Sequence, residues 1–393
     1  MEKEPVAGLC AEDIAHYQDL ARQYSKKSIS PIFEGEYSDG NLSLLPEKLK
    51  TAFEIGIAAT PDESLSGCQY GVWGQAIEEI GVIPSMLILS AIAETCGGVA
   101  MCLNAQGVAS NLILQAKRKP AFIPVKVAVG LQEGFCPPFL GTITLPDKDV
   151  PAKSTTTAEQ KGNNYIINGS KSFVYSMNGV DAYFVFACIG EKWGCFSVNA
   201  KDKGIEKTDV GIRTGLRACC VEHIKFNNVQ IPLEARLDDS DGRALLIRAM
   251  SLNWMGMAAI AVGIAKGAAV AARKYAAERY QGGMQIEEHP AVKMLIAGGE
   301  ASIASADATL YSLQSAAFTT LSGLRKSAAA KLAVIDLCSR AVTDCLQSFG
   351  GYGYMEDYGM EKRLRDMTVL KSASGSPTYL KQLIFDIEKE GAL

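Results

Sequence analysis

The sequence predicts an α+β protein in three successive parts: helical, then β-rich, then helical again. Two changes of apolar period and one missing pattern carry that prediction. The period is helical at the start, strand-like from about residue 119, and helical again after about residue 238. Strands do not alternate with helices, so a doubly wound parallel sheet is not expected. The implied division is 1–118, 119–238 and 239–393.

The first part reads as helices because "AEDIAHYQDLARQYSKKSI", "PEKLKTAFEIGI" and "SMLILSAIAETCGGVAMCLNAQGVASNLIL" space their apolar residues at helical intervals. The middle part breaks into short β-rich runs: "FIPVKVAVGL", "GTITL", "NNYIINGSKSFVYS", "AYFVFACIG", "WGCFSV" and "HIKFNNVQI". Asn163-Asn164, Asn168-Gly169 and Asn227-Asn228 supply the turn chemistry between them. In the last part a helix opens near Gly242 and runs to about Arg279. A second spans about Ala291 to Leu321, and a third Leu324 to Phe349. The stretch "RDMTVLKSASGSPTYL" then leads into a loop of small residues, Ser372 to Pro377, and a helix restarts at Tyr379.

Composition excludes several function classes. Apolar residues make up 48%, charged residues 21%, and the net charge is -4, so no basic footprint for nucleic acid or a membrane surface is present. The 11 cysteines are scattered without a C-x-x-C pair and only three histidines accompany them, so no metal site is expected. The opening "MEKEPVAGLC" lacks a signal-peptide core, and free thiols then imply a reducing cytoplasm. One run, "WMGMAAIAVGIAKGAAVAA" at 254–272, is nearly all apolar. Lys266 interrupts it and Ala and Gly dominate, which favours a helix buried in a bundle or subunit interface over a membrane span.

The chemistry-bearing residues cluster late in the chain. "CLQSFGGYGYMEDYGMEKRLRDM", 345–367, ends a long helix in Gly350-Gly351-x-Gly353. Glycines there let backbone approach a ligand and turn N–H groups toward phosphate, and a plain helix cap uses the same residues. From Gln347 through "GGYGY" to "RLRD" this run resembles the acyl-CoA dehydrogenase family, flavoproteins that desaturate acyl-CoA thioesters. "NNYIINGSKSFV", "GLRACCVEHIKFNNVQIP" and "AAERYQGGMQIEEHPAV" resemble further family segments in the family's order, so the likeness spans about Tyr70 to Leu383.

The resemblance implies an acyl-CoA dehydrogenase-like fold: an N-terminal helical domain, a middle β-barrel-like domain and a C-terminal four-helix bundle in an oligomer. It implies FAD between the β-domain and the bundle, with the adenosine end reaching a neighbouring subunit. It also implies a carboxylate base for the substrate's α-proton and an electron-transfer flavoprotein as acceptor.

Residue by residue, the match is uneven. Where the family carries Glu-Gly-Thr after Arg-Asp, this chain has Ser374, Gly375 and Ser376. A serine hydroxyl is no base at neutral pH without an activating partner. The family's alternative base position falls at Asn253, beside Trp254, and Ser251 stands where an aspartate often contacts the CoA chain. The flavin-ring segment is either reduced to "TLPDKD", 144–149, or lost altogether, and Trp-Ile-Thr has become Phe173-Val174-Tyr175. Phe173 is placed either to stack on the isoalloxazine edge or to serve as a core aromatic.

Arg279, matching a residue that reaches the FAD pyrophosphate, is kept, as are Gln347, Gly350 and Gly351 on the adenosine side. Phe173 and Ser376 complete the cofactor-binding candidates. In the family the retained groups serve a neighbour's flavin, and the lost ones serve the chain's own site. The expectation is therefore a subunit of an oxidoreductase acting on CH–CH groups of acyl-CoA, partnered by a related glutamate-bearing chain. One alternative is an active homo-oligomeric FAD enzyme with a relocated base, for which Glu94, Glu133, Asp147 and Asp149 are the candidates. The other is a non-redox scaffold or binding subunit.

Several features carry two readings. Cys219-Cys220 is redox-active or simply points to opposite faces of a strand. Tyr352, Tyr354 and Tyr358 shape a pocket or plug a seam. Gly282 replaces an aromatic that packs on adenine, and His289 reads as structural. Ala259, Ala261 and Gly263 widen a cavity or permit close helix packing.

Overall fold

The computed structural model describes residues 11–33, 40–118, 123–133 and 154–391. The "GTITL" and "TLPDKD" segments, with Asp147 and Asp149, lie outside these residues. The helical first part contains α1 (Ala11–Tyr24), α2 (Leu45–Glu54), α3 (Ile83–Ala93) and α4 (Gly97–Leu114). Pro46 and Pro84 sit in the first turns of α2 and α3, where the missing N–H costs nothing. α3 and α4 are buried almost all round, which explains why neither shows a polar face.

The middle part is one seven-stranded sheet: β1 (Val127–Gly130), β2 (Thr157–Lys161), β3 (Asn164–Ser176), β4 (Ala182–Ile189), β5 (Lys192–Asn199), β6 (Ile205–Asp209) and β7 (Cys220–Pro232). The order is β1-β4-β2-β3-β7-β6, with β5 paired antiparallel to β4. β1 runs parallel to β4, whose "AYFVFACI" is buried on both faces. β6 is an exposed edge, and Glu206, Lys207 and Asp209 discourage further pairing there. The β3–β7 register slips twice, once between Ile167 and Gly169 and again between Lys171 and Val174. The second slip leaves Phe173 in left-handed backbone at φ 51 and re-aims its ring.

The last part comprises α5 (Arg243–Glu278), α6 (Pro290–Tyr311), α7 (Leu321–Ser348), α8 (Met360–Ser372) and α9 (Pro377–Gly391). α6 stops about ten residues before the sequence pattern does, in a single turn at Ser312–Ser315. Thr320 then caps α7 by accepting the Gly323 N–H at 3.1 Å. α9 begins at Pro377, not Tyr379, because Ser376 Oγ accepts the Tyr379 N–H at 3.3 Å and proline fits the first turn.

α5 is the central element. It and α4 are long and apolar enough to cross a membrane, yet most of each is buried inside the chain. Its small residues permit close packing. A methyl group at Gly256 would overlap the Asn104 amide, at Gly263 the Ser90 carbonyl oxygen, and at Gly267 the Glu94 carbonyl oxygen. The apolar stripe is therefore a contact surface that seats α5 on the backbone of α3 and on the Asn104 side chain of α4. Gly263→Ala should lower the unfolding free energy by about 1–3 kcal/mol. An unchanged urea midpoint would mean that α5 is not seated on α3.

Candidate active site

The loop between α8 and α9 is held by donors from two other helices. Lys331 Nζ, on α7, donates to the Ala373 carbonyl at 2.5 Å and to the Gly375 carbonyl at 2.7 Å. Trp254 Nε1, on α5, donates to the intervening Ser374 carbonyl at 2.6 Å. Three successive carbonyls are thus fixed, and Ser374 is kept in left-handed backbone at φ 49. Lys331 is fully buried, and burial pulls its amine down to about 7. The sequence signal for this clasp was a lone lysine in the apolar run "AAAKLAVI".

The Arg-Asp pair that precedes the loop is a clasp of its own. Asp366 accepts the Leu216 N–H and the Lys362 ammonium, both at 2.6 Å, tying α8 to the loop before β7. Burial opposes the Lys362 charge, but Asp366 and Cys96 hold its pKa above the usual lysine range. Arg365 pairs with Glu361 and donates to the Thr214 carbonyl at 2.8 Å.

Ser374 and Asn253, the two vacant base positions, line the same cavity with Met101, Ala105, Val108 and Phe173. Among the described residues that line it, none is a carboxylate. Its volume is about 20 Å³, space on the scale of a water molecule rather than a ligand. Asn253 accepts from Asn104 Nδ2 at 3.0 Å, and Asn104 in turn accepts from Trp73 Nε1 at 2.8 Å. This buried amide chain engages the Asn253 side-chain oxygen. Ser251 Oγ is buried with no partner among the described residues. Phe173 meets His223 edge-on, ring centroids 4.8 Å apart.

The remaining base candidates are engaged elsewhere. Glu133 accepts from Lys171 Nζ and Ser154 Oγ at 2.5 Å, and from Thr155 N and Oγ1 at 2.6 and 2.8 Å. Burial works to raise its pKa, but Lys171 and the hydroxyls outweigh it and hold the carboxyl below its usual value. Glu94 lies 3.9 Å from Arg22, near Lys266 and Asp307, and does not line the cavity. Burial raises its pKa. Cys219 is buried with its thiol toward the Ser176 carbonyl, while Cys220 is only half-buried. Among the described residues no group of three or more His, Cys, Asp or Glu is placed to hold a metal.

The other half of the predicted site is on the surface. Arg279 ends α5 with its guanidinium 5.2 Å from the Tyr352 ring centre and its Nε buried without a partner. Gln347 lies exposed in the last turn of α7, and Gly350 and Gly351 follow it. Gly350 has φ +57, and a methyl group at either glycine would meet nothing within 4 Å. Gly353, by contrast, packs against the Leu346 carbonyl. Tyr275, Phe349 and Tyr358 form a ring cluster beside them, and Tyr352 and Tyr354 remain 45% and 72% exposed. His289 Nε2 lies 2.9 Å from the Gln281 carbonyl, bracing the Gly282 turn.

Comparison with known proteins places these features in a lineage. Residues 240–386 match the family model of the acyl-CoA dehydrogenase C-terminal domain. The C-terminal part of the chain thus matches the acyl-CoA dehydrogenase C-terminal domain, and the chain over most of its length is similar to acyl-CoA dehydrogenases. A short-chain acyl-CoA dehydrogenase of Clostridium acetobutylicum is 27% identical over 382 residues, 93% of this chain and 95% of that protein. A subunit of the caffeyl-CoA reductase–Etf complex of Acetobacterium woodii is 27% identical over 236 residues, 58% of this chain and 62% of that protein. The fold matches a glutaryl-CoA dehydrogenase of Mycobacterium smegmatis solved with FADH2, at TM-score 0.77 and 16% identity, covering 98% of this chain and 96% of that one.

Against a family of flavoproteins, the chain's two half-sites differ in fit. The surface half offers an unsatisfied guanidinium nitrogen and an open glycine cradle, which suit a pyrophosphate and adenosine. The described part of the ring-side half offers a cavity of about 20 Å³ with no carboxylate among its described lining residues, and does not suit an isoalloxazine with an acyl thioester beside it.

Proposed function

We propose that this chain is one subunit of an FAD-linked acyl-CoA dehydrogenase-type assembly. It lends Arg279, Gln347, Gly350 and Gly351 to a flavin held against a related, glutamate-bearing subunit, while its own acyl cleft does no chemistry. The asymmetry between the two half-sites supports this reading: an open glycine cradle beside the unpartnered Arg279 Nε, against a cavity of only about 20 Å³ beneath Ser374. When bound, the flavin supplies the hydride acceptor for α,β-desaturation of an acyl-CoA thioester, or the donor for the reverse reaction. This chain's share is to bind and orient: Arg279 meets the pyrophosphate charge, and the glycines admit the adenosine without a side chain in its way. The proton-abstracting carboxylate belongs to the partner. The likeness to an Etf-complex subunit supports an electron-transfer flavoprotein as the redox partner, and the proposed setting is the cytoplasm.

A visible spectrum and native mass test the proposal, first on the chain expressed alone and then with a glutamate-bearing relative. Expected is a colourless protein alone, and a mixed assembly that gains flavin on co-expression. Flavin bound by the isolated chain, or absent from both preparations, would overturn it.

A further inference from the structure

A second and larger cavity lies away from the Ser374 loop, between α2 and the end of the sheet where β3 finishes and β7 begins. It measures about 690 Å³ and shares no lining residue with the cavity under Ser374. Small-molecule sites fall in roughly the 300–1,000 Å³ range.

Its walls divide by chemistry. Leu45, Leu49 and Phe53 on α2, with Met177 just past β3, form an apolar side, and Lys126, Arg213 and Arg217 form a cationic side. Lys50 and Glu54 also line it, 3.8 Å apart, and offset one another. Asp209 turns its carboxylate to the Gly211 N–H at 2.6 Å. Among the described lining residues, the cations Lys126, Arg213 and Arg217 outnumber Asp209 on this side.

Arg213 is the most telling member. Its Nη2 donates to the Cys219 carbonyl at 2.7 Å, which fixes the guanidinium, and its Nε is buried with no partner. Arg217 Nε donates to the Arg213 carbonyl at 2.8 Å, so both cations belong to one folded turn. A guanidinium lining a cavity recognises a carboxylate through charge-assisted hydrogen bonds from its planar fork of N–H groups. The lining offers no activated nucleophile: burial pushes the Cys220 thiol up to about 11. The geometry is that of a binding pocket.

We infer that this cavity binds an alkyl-chain carboxylate, its chain against Leu45, Leu49 and Phe53 and its carboxylate on Arg213 and Arg217. The inference needs neither flavin nor a partner subunit, so it stands or falls independently of the half-site reading.

Decanoate is the probe, titrated into the full chain carrying methyl-labelled methionine and followed by NMR. Met177 lines this pocket and Met101 lines the cavity under Ser374, so the two methyl signals report the two places separately. Expected is a saturable shift of Met177 with Met101 unmoved, and binding of decanol or butyrate weaker by about tenfold or more. The R213Q/R217Q double variant should lose about tenfold in decanoate affinity at an unchanged melting temperature. Should that variant melt early, Lys126→Glu tests the same charge from a half-exposed rim position. Decanoyl-CoA, whose acyl group carries no free carboxylate, should not displace the decanoate. Absence of saturable binding, a shift at Met101 in place of Met177, equal affinity for decanol, or displacement by decanoyl-CoA would overturn the assignment.

Discussion

Replacing Arg279 by glutamine is expected to weaken FAD retention in the mixed assembly about 10- to 100-fold, the loss of roughly one hydrogen-bonded charge contact. The isolated chain should barely notice. Among the described residues, the Arg279 side chain stacks on Tyr352, and its Nε has no partner to lose. Arg279→Lys keeps the charge but not the planar fork, so it should restore only part of the affinity. Gly351→Val sharpens the comparison. A methyl group there meets nothing within 4 Å inside the chain, so the added bulk should leave the lone fold intact and obstruct only what comes from outside. The readout is FAD per complex after gel filtration, set beside the native mass and the melting temperature of the isolated chain. Full flavin content in the R279Q assembly would sink the half-site reading and reduce Arg279 to a surface stacking partner of Tyr352.

The order of helices, strands and helices was legible because apolar period is a local property, written along each segment. What escaped the sequence was set by distant partners. Lys331 looked like a stray charge in an apolar helix, and the carbonyls that explain it lie 42 and 44 residues further on. Glu133 read as a candidate base. Its character is decided by Ser154, Thr155 and Lys171, which reach it across 21 to 38 residues. Gly263 permitted two opposite readings until the Ser90 carbonyl opposite it was located. For the site, residue types alone gave the absence of a carboxylate at positions 374 and 253. That both positions share one small cavity follows only from the close approach of α4, α5 and the α8–α9 loop.

The second large effect concerns the clasp under that loop. Lys331→Met should change the pH dependence of stability more than its magnitude at any one pH. Unfolded, the lysine holds its proton up to about 10.5; folded, burial lowers that to about 7. Between these values the unfolded chain binds the extra proton, so this group makes stability rise with pH, and below 7 its full penalty is present. At about 1.4 kcal/mol per unit, the swing is on the order of 4–5 kcal/mol. Methionine removes it and leaves the Ala373 and Gly375 carbonyls without their donor, a loss of about 1–3 kcal/mol each that does not vary with pH. The native chain should therefore exceed the variant clearly near pH 10, and that gap should shrink steadily toward pH 7. Cysteine and tyrosine ionisation lowers alkaline stability in both proteins alike, so the difference between their urea midpoints isolates Lys331. Parallel curves would show that the ammonium stays charged against the two carbonyls across the range. Convergence would show that the loop carrying Ser374 is held by a largely neutral amine. An active site that must hold an ionised glutamate at this position is built for charge. A loop clamped by a lysine whose charge burial disfavours, over a cavity with no carboxylate among its described lining residues, is built to stay shut.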